Sequence, residues 1–121
     1  MTVGPFESAP RPFSRVMVAN RGEIAVRILK AAREAGLGSV AVFSDADASS
    51  LHVEVADEAV HIPGESLAET YLNSEALISA ALSSGADAIH PGYGFLSERS
   101  DFAVAVVEAG LVWIGPPSEA I

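Results

Sequence analysis

The sequence predicts an α/β fold: a Rossmann-like, doubly wound and mostly parallel sheet of about five strands with helices on both faces. Short β-branched runs alternate with segments of helical period along the whole chain. A helix, then a glycine, then a strand occurs at Gly36, Gly85 and Gly110. Ser39 to Phe43 (SVAVF) is apolar almost throughout, as a strand covered on both faces must be. Successive βα steps of this kind build parallel sheets with right-handed crossovers.

Arg15 to Ala19 (RVMVA) reads as the first strand, and Asn20-Arg21-Gly22 breaks it. Glu23 to Ala35 places Ile24, Ile28, Ala31, Ala32 and Ala35 at helical spacing, with Glu23 in the first turn and Gly36 as the stop. Ser39 to Phe43 is the second strand. The polar stretch Ser44 to Asp57 holds a short helix over Ser49 to Val55, and Glu58 to Ile62 is a brief third strand ended by Pro63 and Gly64. Asn73 or Ser74 caps a helix to Ser84, and Asp87 to His90 is the fourth strand. Ser100 caps a helix through Ala109, and Val112 to Ile114 is the fifth strand. The middle of that helix, Phe102 to Val107, is apolar on every side and is expected to be well buried.

With 121 residues the chain is long enough for one domain. It can bury roughly two-thirds of its unfolded surface without disulfide or metal staples. Half of its residues are hydrophobic and 19% are charged, the composition of a packed globular domain. No apolar run approaches the ~20 residues that span a membrane. Met1 to Pro12 lacks the apolar stretch of a signal peptide and reads as a disordered tail. There is no cysteine, which removes disulfides and zinc-thiolate sites and is compatible with the cytoplasm, the expected location. A net charge of −9, with six scattered arginines and Lys30 as the single lysine, argues against nucleic acid as a partner.

Asn20-Arg21-Gly22-Glu23 lies where a dinucleotide fold holds its phosphate loop, yet the Gly-x-Gly-x-x-Gly fingerprint is absent and Glu23 would repel a pyrophosphate. Asp45 stands where such folds place a ribose-binding acid; without the glycines it reads as a turn residue. A Walker A loop is excluded, and a phosphorelay receiver fails for want of acids after the first strand and of a late lysine. Asp45, Asp47, His52, His61 and His90 are potential metal ligands, but none shows the i, i+4 spacing of a helical ligand pair, and no metal site is assigned. The densest motif is His90-Pro91-Gly92-Tyr93-Gly94-Phe95-Leu96-Ser97-Glu98, at the carboxyl edge of the fourth strand. Its glycines can take positive φ and its tyrosine offers a flat face and a hydroxyl to a ring-shaped ligand. The other reading is a rigid structural turn with Phe95 and Leu96 plugged into the core.

Taken with Val18-Ala19-Asn20-Arg21-Gly22-Glu23-Ile24-Ala25-Val26-Arg27-Ile28, Ala56-Asp57-Glu58-Ala59-Val60, Tyr71-Leu72-Asn73 and Ile114-Gly115-Pro116, in order and at matching spacing, this motif resembles the amino-terminal domain of biotin carboxylase. The likeness runs from Phe13 to Ile121. It departs at Ile62 to Thr70, where the commoner Gly-Pro-Ala-Pro pattern is missing, and at Arg99-Ser100. The resemblance implies the first, Rossmann-like part of an enzyme that uses MgATP (Mg or Mn) and bicarbonate to carboxylate biotin on a carrier protein, in an acyl-CoA or pyruvate carboxylase and in roles such as fatty acid biosynthesis. It implies biotin contact for Tyr93 and Gly94, and a homodimer interface for Lys30 and Glu34, whose bland alternative is a solvated i, i+4 pair. The implied partners are an ATP-grasp domain of the same chain, a biotin carboxyl carrier protein and a carboxyltransferase, with no membrane. No catalytic residue is assigned within this chain. The expected domain covers 13–117, and Ser118-Glu119 reads as the start of a helix leading into an ATP-grasp domain, so the chain alone is expected to be inactive. The alternatives are the matching domain of another ATP-grasp ligase, or a stand-alone small-molecule binding or oligomerisation module.

Overall fold

Strands and helices alternate in the order β1 (Arg15–Val18), α1 (Gly22–Glu34), β2 (Gly38–Phe43), α2 (Leu51–Val55), β3 (Glu58–His61), α3 (Ser74–Ser83), β4 (Ala88–His90), α4 (Ser100–Glu108) and β5 (Val112–Trp113). Short 3-10 turns at Asp45–Asp47 and Phe95–Glu98 interrupt the loops after β2 and β4. This computed structural model describes residues 13–115; the expected tail at 1–12 and the expected helix start at Ser118 lie outside them. The five strands form one sheet in the order β3-β2-β1-β4-β5, and all four pairings are parallel.

Side-chain alternation along β1 divides the core in two. Val16 and Val18 face one side, where they pack with Ala25, Ile28, Leu29 and Ala32 of α1. Met17 faces the other and joins Leu77 and Ala81 of α3 with Phe102 and Val106 of α4. The sheet is therefore doubly wound. Phe102 meets the edge-strand residue Trp113 edge-on, with ring centroids 5.7 Å apart.

Each long helix ends the same way. Leu37 N–H donates to Ala32 O at 2.9 Å, Ala86 N–H to Ala81 O at 2.9 Å and Leu111 N–H to Val106 O at 3.1 Å. These are Schellman closures through Gly36, Gly85 and Gly110, and they return the chain straight into a strand. Asn73 caps α3 by accepting from Ala76 N–H at 3.1 Å.

One expectation fails on α4. Phe102, Ala103 and Val106 are buried, but Val104 and Val107 are exposed, Val107 to 60%. The helix covers the β5 edge of the sheet and turns a single stripe inward. Apolar composition on its remaining face recruits no further partner among the described residues. No helix of the described residues is long and apolar enough to cross a membrane.

Candidate ligand-binding edge

Strand order reverses direction between β1 and β4, and the loops that follow these two strands meet at the carboxyl edge. In open α/β sheets that crevice is where ligands bind. Asn20, the second residue after β1, is 1% exposed and bridges the crevice. Its Nδ2 donates to Pro91 O at 2.9 Å and to Tyr93 O at 2.8 Å, while its Oδ1 accepts from Arg21 N–H at 2.8 Å. All three sites of the amide face a complementary partner, which also fixes its orientation.

The loop after β4 is shaped around that amide. A Cβ on Gly92 would lie 2.6 Å from Asn20 Nδ2, and Gly92 has φ +69°, so glycine is demanded by both space and backbone. Gly92 N–H donates to His90 Nδ1 at 3.1 Å. Burial pushes His90 down to about 4, so the ring is neutral near pH 7 and Nδ1 can accept from Gly92 N–H. Gly94 has φ +69° and ψ −163°, a region essentially reserved for glycine. Phe95 follows at φ +49°, the one non-glycine residue with positive φ among those described. Its ring lies 5.5 Å from that of Tyr71, and Leu96 is buried in the core. Tyr93, by contrast, is 69% exposed. The rigid-turn reading thus describes Leu96 and, in part, Phe95, whereas the Tyr93 side chain stands outside the core.

A second cluster braces the turn between β1 and α1. Arg21 Nε and Nη2 donate to Asp47 Oδ2 and Oδ1 at 2.6 and 2.5 Å, a bidentate pair, and Tyr71 O–H donates to Asp47 Oδ2 at 2.7 Å. Asp47 is 3% exposed. Hydrogen bonding from Arg21 is the largest influence on it and, with that from Tyr71, outweighs burial and holds its carboxyl down at about 2. The same pair raises Arg21 above its already high value, and burial together with Asp47 pushes Tyr71 up to about 12. A cleft of about 430 Å³ opens beside this cluster, lined by Arg21, Asp45, Asp47, Glu65, Ser66 and Tyr71 among others. Neither Tyr93 nor Gly94 lines it.

The structure separates the carboxylates that the sequence offers side by side. Asp45 opens its 3-10 turn and pairs with His61 across the end of the sheet, whereas Asp47 turns inward to Arg21. His52 is buried with Nε2 against Val42 O at 2.9 Å. No group of three or more His, Asp or Glu side chains is placed to share a metal ion among the described residues. Lys30 and Glu34 are both exposed on α1. The sequence pointed to Asn20-Arg21 as a failed phosphate loop and as part of the family-like run, with no structural role for either side chain. Its actual partners lie 26 to 73 residues away, and no spacing rule announces them.

Residues 12–121 match the family of the biotin carboxylase N-terminal domain. The alpha3 subunit of a biotin-dependent acyl-coenzyme A carboxylase from Mycobacterium leprae is 56% identical over 108 residues, 89% of this chain and 18% of that protein. Among solved structures, urea carboxylase from Kluyveromyces lactis superposes with a TM-score of 0.88 at 50% identity, over 92% of this chain and 10% of its own. The biotin carboxylase domain dimer of 2-oxoglutarate carboxylase from Hydrogenobacter thermophilus, in complex with MgADP, ADP and bicarbonate, does so at 0.86 and 45%, over 92% and 24%. The chain spans 18% of the length of the Mycobacterium leprae protein and 14% to 15% of that of the plant methylcrotonoyl-CoA carboxylase subunits that it also matches. With its parallel 3-2-1-4-5 sheet and a match over nearly its whole length, the chain belongs to the biotin carboxylase N-terminal domain family.

Proposed function

We propose that this chain supplies one wall of a biotin carboxylase active site. The parent enzyme would carboxylate carrier-bound biotin with MgATP and bicarbonate, and this domain would present Tyr93 and Gly94 to the biotin ring system. The observation that carries the reading is the loop after β4: its flanks are anchored while the Tyr93 side chain stands 69% exposed at the switch point. A flat aromatic face orients a ring by apolar contact, and a glycine without a side chain lets the ring approach the backbone. Biotin is the substrate, and its ureido nitrogen is the atom to be carboxylated.

The phosphate chemistry is assigned elsewhere. Arg21, the cation nearest the α1 N-terminus, is committed to Asp47, Lys30 lies within α1, and the described residues gather no metal-binding cluster. ATP and its metal ion therefore do not fit these residues, and no step through them is derived for this chain. They belong to an ATP-grasp domain of the parent chain, which would work with a biotin carrier and a carboxyltransferase that selects the acyl acceptor. Lys30 and Glu34, exposed together on α1, are proposed as part of a homodimer contact, and a cytoplasmic location remains part of the proposal.

Bicarbonate-dependent ATP hydrolysis tests the reading. The full-length protein should hydrolyse ATP with bicarbonate and respond to added biotin, and the folded chain alone should not. Hydrolysis by the pure chain, or a parent indifferent to biotin, would overturn it and favour a stand-alone binding module.

A further inference from the structure

We propose that Asn20 is a positioning residue for biotin, acting through the Tyr93–Gly94 turn; this rests on the reading that Tyr93 meets biotin. The side chain is buried, lies on the other loop of the switch point, and does not itself reach the exposed face of Tyr93. Its effect is exerted on backbone. Two N–H donors of one amide hold the carbonyls of Pro91 and Tyr93 at 2.9 and 2.8 Å, so the peptide that carries the Tyr93 ring is fixed on both sides of Gly92. The third bond, from Arg21 N–H at 2.8 Å, locks the amide itself to the first turn of the fold. No other residue type of this size offers two donors and one acceptor in a single plane.

Neighbouring features act on the same loop. Gly92 leaves the room that the amide occupies, since a Cβ there would come within 2.6 Å of Asn20 Nδ2. The positive φ at Phe95 persists only where surrounding structure over-determines it. From below, Phe95 rests on Tyr71, whose hydroxyl is tied to Asp47 and through it to Arg21. Residues 20 and 21 therefore support both ends of the turn: Asn20 by hydrogen bonds to its start, Arg21 through Asp47 and Tyr71 to its end. A loop held in this way delivers an aromatic ring at a fixed angle, and the ordering entropy is settled before the ligand arrives.

Asn20→Asp keeps the shape and the acceptor for Arg21 but turns two attractive contacts into repulsion with carbonyl oxygens. In the full-length carboxylase we expect it to raise the KM for free biotin about tenfold while kcat changes less than about threefold, the signature of binding lost equally from ground state and transition state when the preformed turn is loosened. A purely structural role would lower kcat and thermal stability together and leave KM alone, and that result overturns the proposal. Asn20→Ser, neutral and smaller, should raise KM in the same direction and serves if Asn20→Asp does not fold. Tyr93→Ala, alone and combined with the Asn20 variants, separates the two claims. If Tyr93→Ala raises KM and neither Asn20 variant does, the positioning role fails and the biotin reading stands. If Tyr93→Ala leaves KM unchanged, the biotin reading falls and takes the positioning role with it. If both single variants raise KM, the double variant should show little more than Tyr93→Ala alone; fully additive effects would mean that Asn20 does not act through Tyr93.

Discussion

Asp47 shows how a side chain's surroundings set its chemistry. A buried carboxylate is costly unless it is paired, and here three donors from Arg21 and Tyr71 surround it. Because its folded value of about 2 lies below the 3.8 of a free aspartate, the unfolded chain binds the proton more readily. The stabilisation is present above pH ~4, amounts to about 2 kcal/mol, and is lost as pH falls towards 2. His90 acts in a higher window. Its folded value of about 4 lies below the unfolded 6.5, so stability falls as pH drops from 6.5 towards 4. Urea unfolding followed against pH should therefore show two separable losses. Asp47→Asn should flatten the lower one and cost about 2 kcal/mol at pH 7, and His90→Gln should flatten the upper one. If the difference curves are flat across both windows, these two sites do not carry the acid sensitivity.

At the scale of elements, helix faces decide which substitutions matter. Leu77 and Leu82 both lie on α3, but Leu77 is fully buried against the sheet and Leu82 is exposed. Leu77→Ala should cost about 2–5 kcal/mol, and Leu82→Ala no more than about 0.5 kcal/mol, both read from urea midpoints. Equal losses would mean that α3 is seated on a different face. The elements themselves were legible in the sequence, because strand and helix periods alternate cleanly and Gly36, Gly85 and Gly110 close the helices where they stand. The burial of α4 was not. Its period is masked by valine and alanine on every side, so the sequence could not say that Val104 and Val107 face outward. The loop after β4 was visible as a dense motif, but its anchor at Asn20 was not. Hydrogen bonds from a side chain to carbonyls 71 and 73 residues away leave no local signature. The same holds for Asp47, which one rule grouped with Asp45 and which the fold delivers to Arg21 instead.

For the whole molecule, the fold supports the proposed division of labour. A parallel sheet in the order 3-2-1-4-5 brings two loops together at its carboxyl edge, and one of them holds out an aromatic ring. The arginine at the first turn is engaged internally, on Asp47 and over the Tyr71 ring. The proposed reading assigns the exposed Tyr93 ring to a flat, weakly polar ring system. The most direct test is the KM for free biotin of the full-length protein carrying Tyr93→Ala, measured beside Tyr93→Phe. On the proposal that the ring face carries the contact, Tyr93→Phe should stay within about twofold of the parent and Tyr93→Ala should rise about tenfold. An unchanged KM in Tyr93→Ala would contradict the account.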